Sequence, residues 1–199
     1  MTFTLFLGCN IPARVPQYQD AAKAVCRRLG IKLIPNDNFE CCGYPSRSID
    51  EFAFVLSSAR NLALAQQQNN DLMVLCKCCF GSLKMAQHRL NENKELRDRA
   101  NRILEKENLT YTSDISIRHF LSVLHEDVGV KEMKTHIKKK FKDLNIAASV
   151  GCHALRPANI TRFDSAPEPS LFDDLVKVTG AKAVNWSKKS DCCGAPILG

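Results

Sequence analysis

The sequence predicts an α/β fold made of two similar lobes, each a parallel sheet flanked by helices. Three observations lead there. Short apolar runs alternate with amphipathic helical stretches, as strands joined by helical crossovers do. Most of the cysteines fall just after the apolar runs. The opening pattern then returns 143–151 residues later, Gly8-Cys9 as Gly151-Cys152 and Cys41-Cys42-Gly43 as Cys192-Cys193-Gly194. That is the mark of an internal duplication.

Along the chain, residues 2–8, TFTLFLG, form the first expected strand and run into Cys9. Residues 14–29 place Val15, Tyr18, Ala22, Val25 and Leu29 on one helical face, with Gly30 as the stop. IKLIP is a short strand leading towards Cys41 and Cys42. Ser48 and Glu51 have capping-box spacing and open a helix to about residue 68. DLMVLC is a strand that ends on Cys76, and a long helix from FGSLKMAQHRL continues, with a break, to about residue 107. The polar segment 114–142 reads as a helical connection. LNIAASVGC at 144–152 repeats the opening strand. Ser170 caps a helix carrying Leu171, Leu175 and Val178, Gly180 ends it, and AKAVNW is the next strand. The expected organisation is therefore a first lobe at 1–113, a helical connection at 114–143 and a second lobe at 144–199. The second lobe is expected to be incomplete, since stopping on a Cys-Cys-Gly loop leaves its sheet edge unpaired.

Composition narrows the function classes. A chain of 199 residues with 45% apolar side chains can bury a substantial core. No apolar run is long enough to cross a membrane, and the opening one is too short for export and has no basic residues before it. The expected location is the cytoplasm, where ten cysteines argue for metal or catalysis over disulfides. The net charge of +7 lies largely in KEMKTHIKKKFK, residues 131–142. This run reads as a solvated face, with docking of an acidic partner as the other reading. No aromatic interleaving supports nucleic-acid binding.

The cysteines carry the chemistry. Cys9 is followed after thirty-one residues by Cys41-Cys42, and after thirty-three more by Cys76-x-x-Cys79. In a parallel sheet such positions share the carboxyl edge, where ligands gather. Adjacent cysteines bridge badly to each other and chelate one tetrahedral ion awkwardly. They suit a cluster in which two sulfurs reach different atoms. A zinc site needs four ligands and leaves one cysteine unexplained. A dithiol pair at Cys76 and Cys79 leaves three. An iron–sulfur cluster gives the set one purpose. A helix start here also favours thiolate over thiol. Gly8, Gly43, Gly81, Gly151 and Gly194, near the cysteines, allow close backbone approach. Cys26 reads as a small buried residue and Cys78 as a bystander to Cys76 and Cys79. His153 reads equally as a cluster or substrate contact and as a satisfied loop histidine. His88, His119, His125 and His136 have no ligand spacing.

The pattern Cys9…Cys41-Cys42-Gly43…Cys76-x-x-Cys79, with CCFGSL, RHFLSVLHEDVGV and the second GCH…P, resembles the cysteine-rich CCG domain. The match is nearest to the B subunit of heterodisulfide reductase and covers essentially the whole chain. The resemblance implies a non-cubane [4Fe-4S] cluster in each CCG motif. The first would be held by Cys9, Cys41, Cys42, Cys76 and Cys79. The second would be held by Cys152, Cys192 and Cys193, with its remaining ligands outside this sequence. Through these clusters the same cysteines would be the catalytic and cofactor-binding residues. The implied reaction is reductive cleavage of a mixed disulfide of two thiol cofactors, held between the clusters, by two single-electron deliveries. Implied partners are a ferredoxin-like iron–sulfur C subunit and a flavin-bearing A subunit. Relatives in lactate, glycolate or sulfur oxidation supply the alternative of an electron relay that cleaves nothing. A zinc-stabilised interaction module is the third reading.

Overall fold

The computed structural model describes residues 1–112 and 115–194, which form two compact units, Met1–Arg118 and His119–Gly199. Strand β1 (Thr2–Phe6) lies at the heart of the first unit. It pairs in parallel with β2 (Lys32–Ile34) on one side and with β3 (Asp71–Val74) on the other. A short β4 (Ile117–His119) completes the order β2-β1-β3-β4. Phe3, Leu5, Phe6, Leu72, Met73 and Val74 are buried from this sheet, so the central strands are covered on both faces.

Helices α1 (Asn10–Arg14) and α2 (Pro16–Arg28) connect β1 to β2, and α3 (Glu51–Gln67) connects β2 to β3. Beyond β3 come α4 (Lys77–Glu92) and α5 (Lys94–Leu104). The break expected in this long helix falls at Asn93, whose side chain accepts the Leu96 N–H at 2.9 Å and starts a new helix. Helix α3 packs on α4 and is buried almost all round, through Phe54, Val55, Ala59, Leu62 and Ala65.

The sheet order places a switch point between β1 and β3. The chain leaves β1 towards β2 at one edge, then returns past β1 to lay down β3. Connections diverge there, and a crevice opens at the carboxyl ends of the two strands. Cys9 follows β1 and Cys76 follows β3.

The second unit begins with α6 (Phe120–Ser122), a π-helical stretch over Val123–Gly129, and α7 (Val130–His136). Strand β5 (Asn145–Ile146) is followed by α8 (Cys152–Leu155), α9 (Ala158–Thr161), α10 (Leu171–Val178) and β6 (Lys182–Ala183). Strands β5 and β6 pair in parallel, as β1 and β2 do in the first unit. This arrangement is consistent with the expected duplication. Lys138, Lys139, Lys140 and Lys142 of the basic run are exposed.

Several local expectations need correction. Helix α3 is capped by Asp50, not Ser48, because the Asp50 carboxylate accepts the Ala53 N–H at 2.9 Å. The inward face of α2 carries Ala22 and Cys26, while Val25 is 38% exposed. Ser170 holds the N-cap position of α10, but Asp164, seven residues before Leu171, accepts the Leu171 N–H at 2.8 Å. The segment read as purely helical contains β4, whose entry is tied by the Leu72 N–H to the Ser116 carbonyl at 2.8 Å. Tertiary pairing overrides weak propensity in so short and polar a strand. The expected boundary at residues 113–114 and the proline of the second doublet, Pro196, lie outside the described residues.

Candidate metal centre

Three loops at the carboxyl edge bring six sulfurs of the first unit together. Cys9 donates towards Cys41, with their Sγ atoms 4.0 Å apart. Cys41 neighbours Cys42, Cys42 meets Cys79, and Cys79 meets Cys76, which also meets Cys78. The thiols are strung contact by contact along the edge. Among the described residues no group of three or more His, Cys, Asp or Glu side chains is set to hold a single metal ion. Six thiols along one edge are more than the four ligands that one tetrahedral ion takes.

The electrostatics divide the sulfurs. Hydrogen bonds from Cys78 and Cys79 hold Cys76 far below the ordinary thiol range, against the effect of burial. Cys76 is also the N-cap of α4, where the N–H groups of Cys79 and Cys78 favour a negative sulfur. A hydrogen bond from Cys79 lowers Cys42 in the same way, helped by the Tyr44 N–H and the Ser82 hydroxyl. Cys79, whose single thiol proton lies between these two sulfurs, is driven up. Burial pushes Cys41 up to about 11, opposed by the Gly43 N–H. The neighbouring Lys77 is lowered to about 8 by burial, next to this negative array.

Local backbone geometry explains why the doublet is followed by glycine. Gly43 has φ +80°, which turns its N–H to the sulfur of Cys41, and a Cβ there would lie 2.6 Å from the Phe54 carbonyl oxygen. Gly194 repeats this at φ +76°, its N–H 3.4 Å from the sulfur of Cys192. Gly8, at φ +66°, lies under Cys79, and a Cβ would meet that sulfur at 2.7 Å. Only glycine fits these places without strain. Gly81, by contrast, is an interior residue of α4.

The residues that hold the doublet were missed by sequence reasoning. Asn61 on α3 is fully buried and donates to the Cys41 carbonyl at 3.0 Å, while its oxygen accepts the Glu40 N–H at 2.9 Å. Ser58, one turn earlier, donates to the Cys42 carbonyl at 2.7 Å. Arg60 donates to the Asn38 carbonyl at 2.8 Å and to Glu107 at 2.7 Å. Tyr18 on α2 donates to the Leu75 carbonyl, next to Cys76, at 3.3 Å. Polar residues in an apolar helix were the available signal, since a buried Asn needs partners. Asn61→Ala strands the Glu40 N–H and the Cys41 carbonyl; we expect a loss of about 2–3 kcal/mol, measured by denaturant unfolding. An unchanged midpoint would mean that Asn61 does not hold the loop.

In the second unit, Cys152 opens α8 after Gly151 and is half-buried. Burial raises it, and Cys192 is its hydrogen-bonded neighbour, with Cys193 close enough to act through its charge. The loops are tied by the Trp186 indole N–H to the Ala148 carbonyl at 2.9 Å and by the Val150 N–H to the Lys189 carbonyl at 3.0 Å. Cys192 and Cys193 are exposed. His153 lies in α8, beside Cys152. Cys26 is fully buried in α2, where burial raises its thiol to about 11. His119 caps the Leu121 N–H, His125 pairs with Asp174, and His136 pairs with Glu132.

The donor set fits an iron–sulfur group on two structural grounds. The Ser82 hydroxyl is fully buried beside Cys42 and helps to hold that sulfur towards its thiolate. Backbone N–H groups also point at the sulfurs of Cys41, Cys42 and Cys76, as a shared negative charge would require.

The cysteine-rich domain family named CCG matches residues 3–84 and 146–199. The B subunit of the Ferredoxin:CoB-CoM heterodisulfide reductase of Methanosarcina mazei is 31% identical over 194 residues, 96% of this chain and 64% of that protein. The 8-methylmenaquinol:fumarate reductase membrane anchor subunit of Wolinella succinogenes is 33% identical over 96% of this chain and 66% of its own length. A protein of Archaeoglobus profundus, named for its likeness to the B subunit of heterodisulfide reductase, is 32% identical over 98% and 67%. The chain thus spans about two thirds of the length of these relatives. Among the described residues no helix is long and apolar enough to cross a membrane. The crystal structure of a hypothetical protein from Helicobacter pylori shares the fold, with a TM-score of 0.73 and 20% identity, over 98% of this chain and 35% of that one. Matched twice by one family model and aligned with these relatives along nearly its whole length, the chain belongs to the cysteine-rich CCG domain family, among the proteins that resemble the B subunit of heterodisulfide reductase.

Proposed function

We propose that this chain is the iron–sulfur catalytic subunit of a heterodisulfide-reductase-type complex, reducing a mixed disulfide of thiol cofactors. The observation that carries the reading is the array from Cys9 through Cys41, Cys42, Cys79 and Cys76 at the switch point of the sheet. Those five cysteines would hold a non-cubane [4Fe-4S] cluster. Cys152, Cys192 and Cys193 would contribute to a second. When bound, the clusters would accept single electrons and receive the sulfurs of the cleaved disulfide. The chain's own part is positional. Asn61 and Ser58 fix the doublet, Gly8 and Gly43 let backbone close over it, and Lys77 adds positive charge beside an anionic centre. Electrons would come from a ferredoxin-like C subunit and a flavin-bearing A subunit, in the cytoplasm.

The test is anaerobic purification followed by iron, sulfide and zinc analysis, then an assay of disulfide reduction in the assembled complex. We expect a brown protein with matching iron and acid-labile sulfide. Stoichiometric zinc without sulfide overturns the reading and leaves the zinc-stabilised interaction module. A second reading is favoured by the Wolinella relative, whose name places it in a fumarate reductase. There the same domain would relay electrons and cleave no disulfide, as in a lactate or glycolate oxidase.

A further inference from the structure

The basic run of the second unit has no part in the metal centre. Every residue from Lys138 to Leu144 is exposed, and among them Phe141 keeps 53% and Leu144 46% of its surface open. The ion pairs of this unit use Lys177, Lys188, Lys189, His125 and His136. Among the described residues Lys138, Lys139, Lys140 and Lys142 form none. The segment is nevertheless held in place. The Phe141 N–H donates to the Thr179 carbonyl at 3.0 Å, and the Lys182 N–H to the Leu144 carbonyl at 2.9 Å. Between these bonds Lys140 packs on Gly180, so closely that a Cβ on the glycine would lie 2.8 Å from the lysine Cβ. The chain thus lies along the turn from α10 to β6. Four cations, a ring and a leucine are presented on a backbone that is already ordered.

Charge and residue type decide what covers this patch. A second copy carries the same net charge of +7 and repels it. Protein interfaces favour arginine and are poor in lysine, whereas residues 131–144 hold lysines and no arginine. Single-stranded nucleic acid is gripped by successive aromatic platforms, and this run offers one ring. An anionic lipid surface asks for clustered lysines beside apolar side chains that enter the headgroup layer. We propose that residues 138–144 form a contact with the anionic surface of a bilayer. The lysine ammonium groups meet the lipid phosphates, and Phe141 and Leu144 enter the headgroup layer. The chain then lies on the membrane by this face; among the described residues no helix is fit to cross it. The contact uses no metal and is independent of the iron–sulfur reading.

The experiment sediments the full chain, purified without oxygen, with vesicles of phosphatidylglycerol and phosphatidylethanolamine or of phosphatidylcholine alone. We expect binding to the anionic vesicles only, strong at about 0.1 M salt and largely lost at about 0.5 M. Each lysine is worth about fivefold in partition. The triple variant Lys138→Gln, Lys139→Gln, Lys142→Gln should therefore bind about a hundredfold more weakly. Lys140 is left in place because its stem packs on Gly180. Phe141→Ser should cost about tenfold or more. A control removes three exposed cations of the first unit, Arg27→Gln, Arg28→Gln and Lys32→Gln, and should bind like the unmodified protein. Far-UV circular dichroism checks each fold, and the lysine variant decides should Phe141→Ser not fold. No binding to either vesicle, or equal binding to both, overturns the proposal. So does equal loss in the control, which would mean that net charge acts and no local patch. A duplex oligonucleotide bound as tightly as the anionic vesicles would show a general polyanion site and overturn it too.

Discussion

Replacing Cys42 or Cys76 by serine is expected to abolish iron binding in the first unit, while Cys26→Ser is expected to leave iron content unchanged. All three side chains are thiols in one compact unit, so the contrast isolates position from chemistry. Cys42 and Cys76 sit in the array, each held towards its thiolate by a hydrogen bond from Cys79. A serine hydroxyl is far less acidic and is a poor ligand for iron beside sulfide. Cys26 lies in α2, fully buried, where its thiol acts as a small apolar side chain. Cys26→Ser buries a hydroxyl at a cost of about 1–3 kcal/mol unless it bonds back to the preceding turn, a loss of stability and not of ligation. Iron and sulfide determination beside an unfolding curve separates the two effects. Equal loss of iron in all three variants would mean that the cysteines serve folding and no specific centre.

Cys193→Ser is the second large effect, expected in the assembled complex as loss of disulfide reduction with the first centre intact. Cleaving a disulfide yields two sulfurs. If each is received by its own cluster, one damaged centre stops the reaction. An electron relay needs only redox centres in sequence and tolerates the same damage better. Cys193 belongs to the doublet that repeats the Cys41-Cys42 loop, down to the glycine N–H turned onto the first sulfur. The measurement pairs disulfide reduction with electron uptake from a ferredoxin-like donor, with cluster content checked by spectroscopy. Normal disulfide reduction in a variant lacking the second cluster would rule out cleavage by paired centres. It would favour the relay.

Much of the architecture is legible in the residue order. Apolar runs such as TFTLF and DLMV, short and bounded by turn residues, read as buried strands, and the helical stretches between them suit parallel pairing. The doublet-plus-glycine is legible too, because a left-handed residue after two cysteines asks for glycine. Local signals fail where a distant partner decides. Asp50 caps the helix that Ser48 was expected to cap, Asp164 takes the Leu171 N–H while Ser170 keeps the N-cap position, and β4 exists because β3 offers it an edge.

What the sequence by itself determined is the class of fold, the spacing of the cysteines and the kinship these carry. Only the tertiary structure decided which sulfurs touch and what holds them. The strand order puts the loops after β1 and β3 at one switch point, and α3 then reaches the doublet through Asn61 and Ser58. These two contacts join residues 20 and 16 positions apart, and their strength comes from burial, which no local pattern encodes. The physical reason is that a hydrogen bond to a loop carbonyl stabilises only once water is excluded, and exclusion is a property of the packed core.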